Sequence, residues 1–358
     1  MRKRLESETL RLFLKAVFTR FYIAVLAVAP SIATADVSVS SDFHRWAMQN
    51  QSVSVSAGNW VSYNLNVPIR GAITVDAEIQ NNTFDDGSAY ICDETSYRRF
   101  QQGQPNNCLG MNRTRQRINF TVPVSAPGTY YLILDNSFSM LNSKQYNVSV
   151  IVPDRMDPQF RRGLTDLLRL ADQYVETTFQ APDFKLSIES CGQANAYSVV
   201  STGDIVLCSE LLFAAGENQS VGMVIGTLFH EIGHSLLNLW GLPNFANEET
   251  VDEFATYILL QGDDPSLLRD YIEYHERQNS WAQASQIIEQ GGTHPLSAQR
   301  ARNVRRNMQN AAAFSERWNR LIYPHMTDSS LLSVVRSPTR YNSVSIAQQV
   351  LRTRGVTW

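Results

Sequence analysis

Histidine and cysteine are scarce in this sequence, whose 358 residues include 6 histidines and 4 cysteines. No two cysteines have the C-x-x-C spacing of a zinc knuckle or a redox site, so neither motif is present. An excess of basic charge is also missing, because 31 Lys and Arg residues stand against 34 Asp and Glu residues. Away from the N-terminus, basic residues cluster only at positions 300–306, which we interpret as the solvated face of a helix. Nucleic acid is therefore not an expected partner.

Long apolar runs are missing as well, and no segment after residue 35 is apolar enough to cross a membrane. The apolar run at residues 21–29 follows a basic stretch, and Ala33-Thr34-Ala35 provides a small-x-small cleavage site before Asp36. This pattern predicts a signal peptide at residues 1–35 and export to the periplasm or the cell exterior. An uncleaved anchor is the alternative. We expect no stable membrane span after cleavage.

The composition changes near Pro153 from strand-like to helical, which predicts two domains after the signal peptide. Residues 36–152 contain short alternating segments, such as WVSYNLNV at 60–67 and RINFTV at 117–122, separated by turn signals. This pattern is typical of an antiparallel β-sandwich, here an accessory domain. Residues 153–358 contain a short predicted hairpin and several helical segments, so we expect an α+β domain with a small sheet.

The four cysteines fall into two pairs along the chain. Cys92 and Cys108 lie in the N-terminal half, and Cys191 and Cys208 flank the predicted hairpin. Export to an oxidising compartment predicts that each pair forms a structural disulfide, although four cysteines permit three connectivities.

The most informative pattern is His230-Glu231-Ile232-Gly233-His234, an HExxH motif within an apolar segment that we predict to be helical over residues 220–240. Side chains four residues apart project from one face of a helix, so His230 and His234 can share one Zn²⁺ ion. Glu231 lies beside them and can act as general base and then general acid. The pattern indicates a zinc hydrolase.

A third protein ligand is expected from the acidic segment at residues 248–253, which begins the next predicted helix. Glu248 and Asp252 share one helix face, and Glu249 and Glu253 share another. Either pair could supply one metal ligand and one acceptor for an imidazole N–H group. Periodicity alone does not choose between the pairs.

Residues 190–256 resemble a family of bacterial proteins classed as metallopeptidases, of otherwise uncharacterised function and related in layout to the minimal gluzincins. The resemblance lies in residues 191–197, 205–211, 230–234 and 248–256, and more weakly in 294–300. In gluzincin-like enzymes a Glu-x-x-x-Asp/Asn pair on the next helix follows HExxH, with the Glu binding zinc. The resemblance therefore implies a zincin-like fold, Glu248 as third ligand, and Asp252 as the residue that orients a ligand.

These observations predict an exported zinc-dependent peptidase that acts on proteins or peptides. The strands on either side of Ser201-Thr202-Gly203 predict a hairpin whose open edge could hold an extended peptide. His294 is either a donor to a reaction intermediate or a helix cap. The alternative hypothesis is a non-catalytic binding protein in which zinc only stabilises the fold and the β-sandwich carries the function. The oligomeric state is not indicated.

Overall fold

The computed structural model describes residues 36–80, 86–114, 117–191, 195–217, 220–262, 264–277 and 297–358. The predicted signal peptide and His294 lie outside the described residues. The described chain divides into two compact units. We call Ser41–Asp157, with residues 190 and 191, the β unit, and the remaining described residues the helical unit. Strands thus dominate the N-terminal region and helices the C-terminal region, as the predicted α+β class requires.

The β unit contains two antiparallel sheets of four strands each. The first has the order β2-β9-β4-β7, formed by Asp42–Val55, Lys144–Arg155, Gly71–Gln80 and Arg117–Val124. The second has the order β3-β8-β5-β6, formed by Trp60–Val67, Gly128–Asp135, Gly87–Asp93 and Leu109–Thr114. Alternate residues of both sheets turn inward to one hydrophobic core, which includes Val67, Ile73 and Leu132. Helix α1 spans Glu94–Gln101.

The helical unit contains a small sheet with the order β1-β10-β12-β11. Its strands are Val37–Val39, Leu186–Glu189, Ile205–Cys208 and Ala196–Ser198. Strands β11 and β12 form the predicted antiparallel hairpin, and Gly203 in its turn has a φ of 80°, a conformation that favours glycine. Strand β11 is the last strand on its side of the described sheet.

The first strand, β1, precedes the β unit in the chain but pairs in parallel with β10 in the helical unit. Arg161 Nε donates to the Val39 carbonyl oxygen at 2.9 Å, which ties β1 to the first helix after the β unit. The compact units change between Asp157 and Pro158. The limits 36–152 and 153–358 were drawn from composition, which does not record a three-residue strand that pairs far along the chain.

Helices form the bulk of the helical unit. They are α2 Pro158–Thr178, α3 Ser209–Glu217, α4 Val221–Leu239, α5 Glu248–Gln261, α6 Pro265–Arg277, α7 Ser297–Gln309, α8 Ala311–Ile322, α9 Asp328–Arg336 and α10 Val344–Thr353. Helix α4 carries the HExxH motif. It begins and ends within one residue of the predicted limits, 220 and 240. Within the described residues, no helix combines the length and apolar character that a membrane span requires.

Glycines let α4 lie close to its neighbours α5 and α6. A Cβ atom at Gly222 would lie 2.0 Å from the Leu267 carbonyl oxygen, and one at Gly226 would lie 2.4 Å from the Tyr271 ring. At Gly233, inside the motif, a Cβ atom would lie 2.9 Å from the side chain of Phe254. Real Cβ atoms do not approach so closely, so these glycines set the distances between the three helices.

Both predicted disulfides are present. Cys92 and Cys108 are joined within the β unit. Cys191 and Cys208 are also disulfide-bonded, and no cysteine is free. Of the three possible connectivities, the structure has the one that joins neighbours in sequence.

The buried carboxyl group of Asp172 on α2 predicts how stability depends on pH. Burial, together with the negative charges of Glu176 and Asp183, raises the pKa of Asp172 to about 6. Because the folded-state pKa exceeds the unfolded value of about 4, the free energy of unfolding falls as pH rises from about 4 to about 6. Asp172→Asn should therefore raise this free energy by about 1–3 kcal/mol at pH 7.5 and change it little at pH 4.

Urea denaturation at the two pH values measures this effect. The control is Asp166→Asn on the same helix, where the carboxylate is exposed and lies 3.6 Å from Arg169. Stabilisation of equal size at both pH values, or an equal gain in the control, contradicts the prediction.

Candidate metal centre

His230 and His234 lie one turn apart on α4, with their ring centroids 4.9 Å apart. His230 is buried, and His234 is about one-sixth exposed at its side chain. Most of α4 is buried in the helical unit, and the four-residue spacing makes the two imidazoles project from the same side of the helix. Local sequence is sufficient to bring these two groups together.

Glu248 reaches the imidazoles because the chain reverses after α4. Gly241 and Asn244 adopt positive φ values of 65° and 69° in the connecting loop. The Asn247 side chain then caps α5 by accepting a hydrogen bond from the Thr250 N–H group. Glu248 is thereby the first residue of α5, where the helix dipole favours a negative charge.

The imidazole nitrogens that face Glu248 are both Nε2 atoms. His230 Nε2 lies 3.1 Å from Glu248 Oε2, and His234 Nε2 lies 3.5 Å from Glu248 Oε1. The ligand atoms of the three residues lie within 4.8 Å of one another. Tetrahedral coordination with bonds of about 2.1 Å separates neighbouring ligand atoms by about 3.4 Å. The observed distances therefore suit a single metal ion held by two nitrogens and a carboxylate.

The opposite imidazole nitrogens, both Nδ1, face acceptors. His230 Nδ1 lies 2.8 Å from Asp252 Oδ1, and His234 Nδ1 lies 2.7 Å from the Phe245 carbonyl oxygen. A carbonyl oxygen and an ionised carboxylate only accept, so with a metal ion bound at Nε2 the ring proton of each imidazole would lie on Nδ1. The lone pairs on Nε2 are then free to bind a metal, with the rings held in orientation by their acceptors.

The four carboxylates of α5 divide between two kinds of contact. Glu248 and Asp252 face the histidines, as described above. Glu249 instead accepts from Asn303 and Arg306 at the surface. Glu253 accepts from Arg317 and Trp318 of α8. The structure therefore brings the pair Glu248 and Asp252 to the site, and the pair Glu249 and Glu253 elsewhere.

Glu231 is buried beside the two imidazoles. Burial raises the pKa of its carboxyl group, and the negative charge of Glu248 acts in the same direction. The positive fields of His230, His234 and Arg300 oppose the shift without cancelling it. A carboxylate with a raised pKa accepts a proton more readily than a solvated one, which suits a general base.

Asp252 belongs to a network that sequence reasoning missed. Arg300 of α7 donates to both Asp252 oxygens, and the Tyr271 hydroxyl donates to Oδ1 at 3.2 Å. The guanidinium holds the pKa of the Asp252 carboxyl far below its usual range, although burial acts in the opposite direction. The interpretation of residues 300–306 as a solvated face is wrong for Arg300, whose side chain is 16% exposed. The only signal was the weak resemblance at residues 294–300.

A second group of potential ligands, Cys191, Cys208 and Glu210, also meets the distance requirement for a metal site. Both cysteines are disulfide-bonded, so neither sulfur is a thiolate that could bind a metal. Among the described residues, this leaves His230, His234 and Glu248 as the candidate metal centre.

Comparison with known proteins agrees with this chemistry at the level of class. Residues 164–306 match a protein-family model described as "Putative metallopeptidase". The matched segment contains the candidate ligands, Glu231, Asp252 and Arg300. It supports the prediction of a peptidase with a metal cofactor and with proteins or peptides as substrates. No curated protein matches the chain.

Several solved structures align with parts of the chain at low similarity. The pre-peptidase C-terminal domain of a Bacillus anthracis collagenase is 13% identical, with a TM-score of 0.20. The match covers 35% of this chain and 100% of the collagenase domain. The periplasmic g-type lysozyme inhibitor PliG of Aeromonas hydrophila is 10% identical, with a TM-score of 0.21. The match covers 34% of this chain and 100% of the inhibitor. Scores of this size carry no argument about fold or function.

The third ligand can be tested by exchanging neighbouring carboxylates. Glu248→Gln should abolish retention of the metal, because an amide oxygen is a weaker, uncharged ligand. Glu249→Gln is the matched control, since the Glu249 side chain accepts hydrogen bonds from Asn303 and Arg306 at the surface and does not face the histidines. Metal content after dialysis, measured by plasma mass spectrometry, should be about one equivalent in the control and near zero in Glu248→Gln. The reverse result would make Glu249 the ligand.

Proposed function

We propose that this chain is an exported zinc-dependent peptidase with a zincin-like catalytic unit. The observation that carries the proposal is the convergence of two Nε2 atoms and one carboxylate within 4.8 Å, with both Nδ1 atoms held by acceptors. Two imidazoles and one carboxylate are the ligands of many catalytic zinc sites, which keep a fourth position open. Structural zinc sites more often use four protein ligands rich in cysteine.

His230, His234 and Glu248 would hold the zinc ion, and Asp252 would orient His230 through its Nδ1–H group. A bound zinc ion supplies Lewis acidity, which lowers the pKa of water and polarises a carbonyl group. Glu231 takes the proton of the attacking water and later returns it to the leaving amine. The raised pKa of Glu231 suits both transfers, since the protonated form must persist until the amine leaves.

Substrate would lie along strand β11. This strand runs beside α4, because Ser198 Oγ lies 2.7 Å from Ser235 Oγ, and Ser235 follows His234 directly. In the described sheet β11 has a partner strand, β12, on one side only. An extended peptide can add to such an edge through main-chain hydrogen bonds, with its scissile bond near the metal. This arrangement supports a protein or peptide as the substrate.

The N-terminal sequence supports export to the periplasm or the cell exterior. Ala33-Thr34-Ala35 ends the predicted signal peptide, and Asp36 would become the first residue of the mature chain. Two disulfides suit an oxidising compartment.

Glu231→Gln tests catalysis directly. The amide cannot accept the proton of the attacking water, so cleavage should fall by about 10²–10⁴-fold while the metal is retained. The assay is digestion of a denatured protein mixture by the purified chain, with cut sites identified by mass spectrometry. Glu249→Gln serves as the control for a neighbouring Glu→Gln change that spares the site.

The alternative, a non-catalytic protein whose fold is stabilised by zinc, predicts a different effect of Glu231→Gln. In that case Glu231→Gln leaves function intact, and Glu248→Ala or removal of the metal unfolds the helical unit. Cleavage by wild type and Glu231→Gln at equal rates, or no cleavage by the folded zinc-loaded chain, would exclude the proposed mechanism.

A further inference from the structure

We propose that Arg300 is a positioning residue, which fixes the Asp252 carboxylate so that His230 presents its Nε2 atom to the metal. The inference rests on the proposed function, since it concerns the same zinc site. It adds helix α7 to the elements that build the site, although α7 contributes no metal ligand.

Arg300 binds Asp252 through two hydrogen bonds, one to each carboxylate oxygen. Its Nε donates to Oδ2 at 2.8 Å, and its Nη2 donates to Oδ1 at 2.5 Å. A bidentate contact of this kind fixes the plane of the carboxylate as well as its position. Tyr271 strengthens the arrangement, because its hydroxyl donates to Oδ1 and accepts from Arg300 Nη2, both at 3.2 Å.

The orientation of Asp252 determines which nitrogen of His230 carries the proton. Oδ1 lies 2.8 Å from His230 Nδ1, and an ionised carboxylate can only accept. With a metal ion at Nε2, the one ring proton would therefore lie on Nδ1, where Asp252 accepts it. Arg300 Nη2 also lies 3.2 Å from Nδ1, but with the proton there both atoms are donors. The ring is consequently oriented by Asp252, and Arg300 acts through it.

Stability alone does not account for this ion pair. The side chains of Arg300 and Asp252 are 16% and 4% exposed, so both charges have largely left water. Apolar side chains often replace such buried pairs with no loss of stability, because desolvation offsets the Coulomb attraction. Two other arginines of α7 form ion pairs at the surface, Arg305 with Glu276 and Arg306 with Glu249. Arg300 alone among these three reaches the site.

Zinc affinity tests the inference. We expect Arg300→Met to weaken Zn²⁺ binding about 10- to 100-fold, as loss of a residue that supports a ligand typically does. Arg300→Lys keeps the charge but loses the bidentate geometry, so its affinity should be intermediate. Arg305→Met is the matched control on the same helix, and its affinity should equal that of the wild type. Competition with a chromophoric chelator measures all four proteins, with thermal unfolding recorded in parallel.

A double-variant cycle separates positioning from a general structural role. If Arg300 acts through Asp252, then Arg300→Met should weaken zinc binding less than about twofold in an Asp252→Asn background. If Arg300 only anchors α7, Arg300→Met lowers the unfolding temperature and leaves zinc affinity unchanged. Either that result or full additivity of the two variants overturns the inference.

A measurement on the metal-free chain makes the inference independent of the proposed function. The crystal structures of the metal-free wild type and of Arg305→Met should keep Asp252 Oδ1 within hydrogen-bond distance of His230 Nδ1. In Arg300→Met the carboxylate should turn away from Nδ1, because the bidentate contact that fixes its plane is lost. An unchanged contact between Asp252 and His230 in Arg300→Met overturns the positioning role, whereas failure of the wild type to bind Zn²⁺ overturns the proposed function instead.

Discussion

The carboxylate of Asp252 is the group on which the architecture of the site depends. It accepts from His230 of α4, Tyr271 of α6 and Arg300 of α7, and it is itself part of α5. One buried charge thus joins four helices. A buried carboxylate is costly unless its charge is balanced and its oxygens are bonded, and here both conditions are met. The contacts that balance the buried charge of Asp252 also hold the imidazole of His230 in its orientation.

Close helix packing makes this convergence possible. The glycines of α4 face α5 and α6, where a larger residue would separate the helices and move Tyr271 away from Asp252. Side-chain packing and the polar network are therefore coupled, because the hydrogen bonds of Asp252 require these helices to stay at their present distances. This packing accounts for the glycines at 222, 226 and 233, although each glycine lowers helix propensity by about 1 kcal/mol.

The catalytic chemistry proposed for this chain needs few groups beyond the ligands. Glu231 is held among two imidazoles and a second carboxylate, and its raised pKa follows from burial. Strand β11 lies beside α4 at the end of the described sheet, where the proposed extended substrate would bind. His230, His234 and Glu248 all lie in the helical unit.

The sequence by itself determined the local parts of the site. Helical periodicity predicted α4, the pairing of His230 with His234, and an acidic first turn in the next helix. It could not choose between Glu248 with Asp252 and Glu249 with Glu253, since each pair is spaced by four residues on one helix. Only the docking of α5 against α4 decides which face meets the histidines.

Sequence patterns did not predict contacts between segments that lie far apart in the chain. Arg300 lies 48 residues from Asp252, and in sequence it looks like its neighbours Arg305 and Arg306. Strand β1 is three residues long and pairs with β10 across the whole β unit. Periodicity records which side of an element is apolar, whereas burial of a charge beside a given partner depends on how the elements pack. Local sequence therefore determined the HExxH helix and its two histidines. The tertiary structure decided which carboxylates and which arginine surround them, because those contacts depend on how the helices pack.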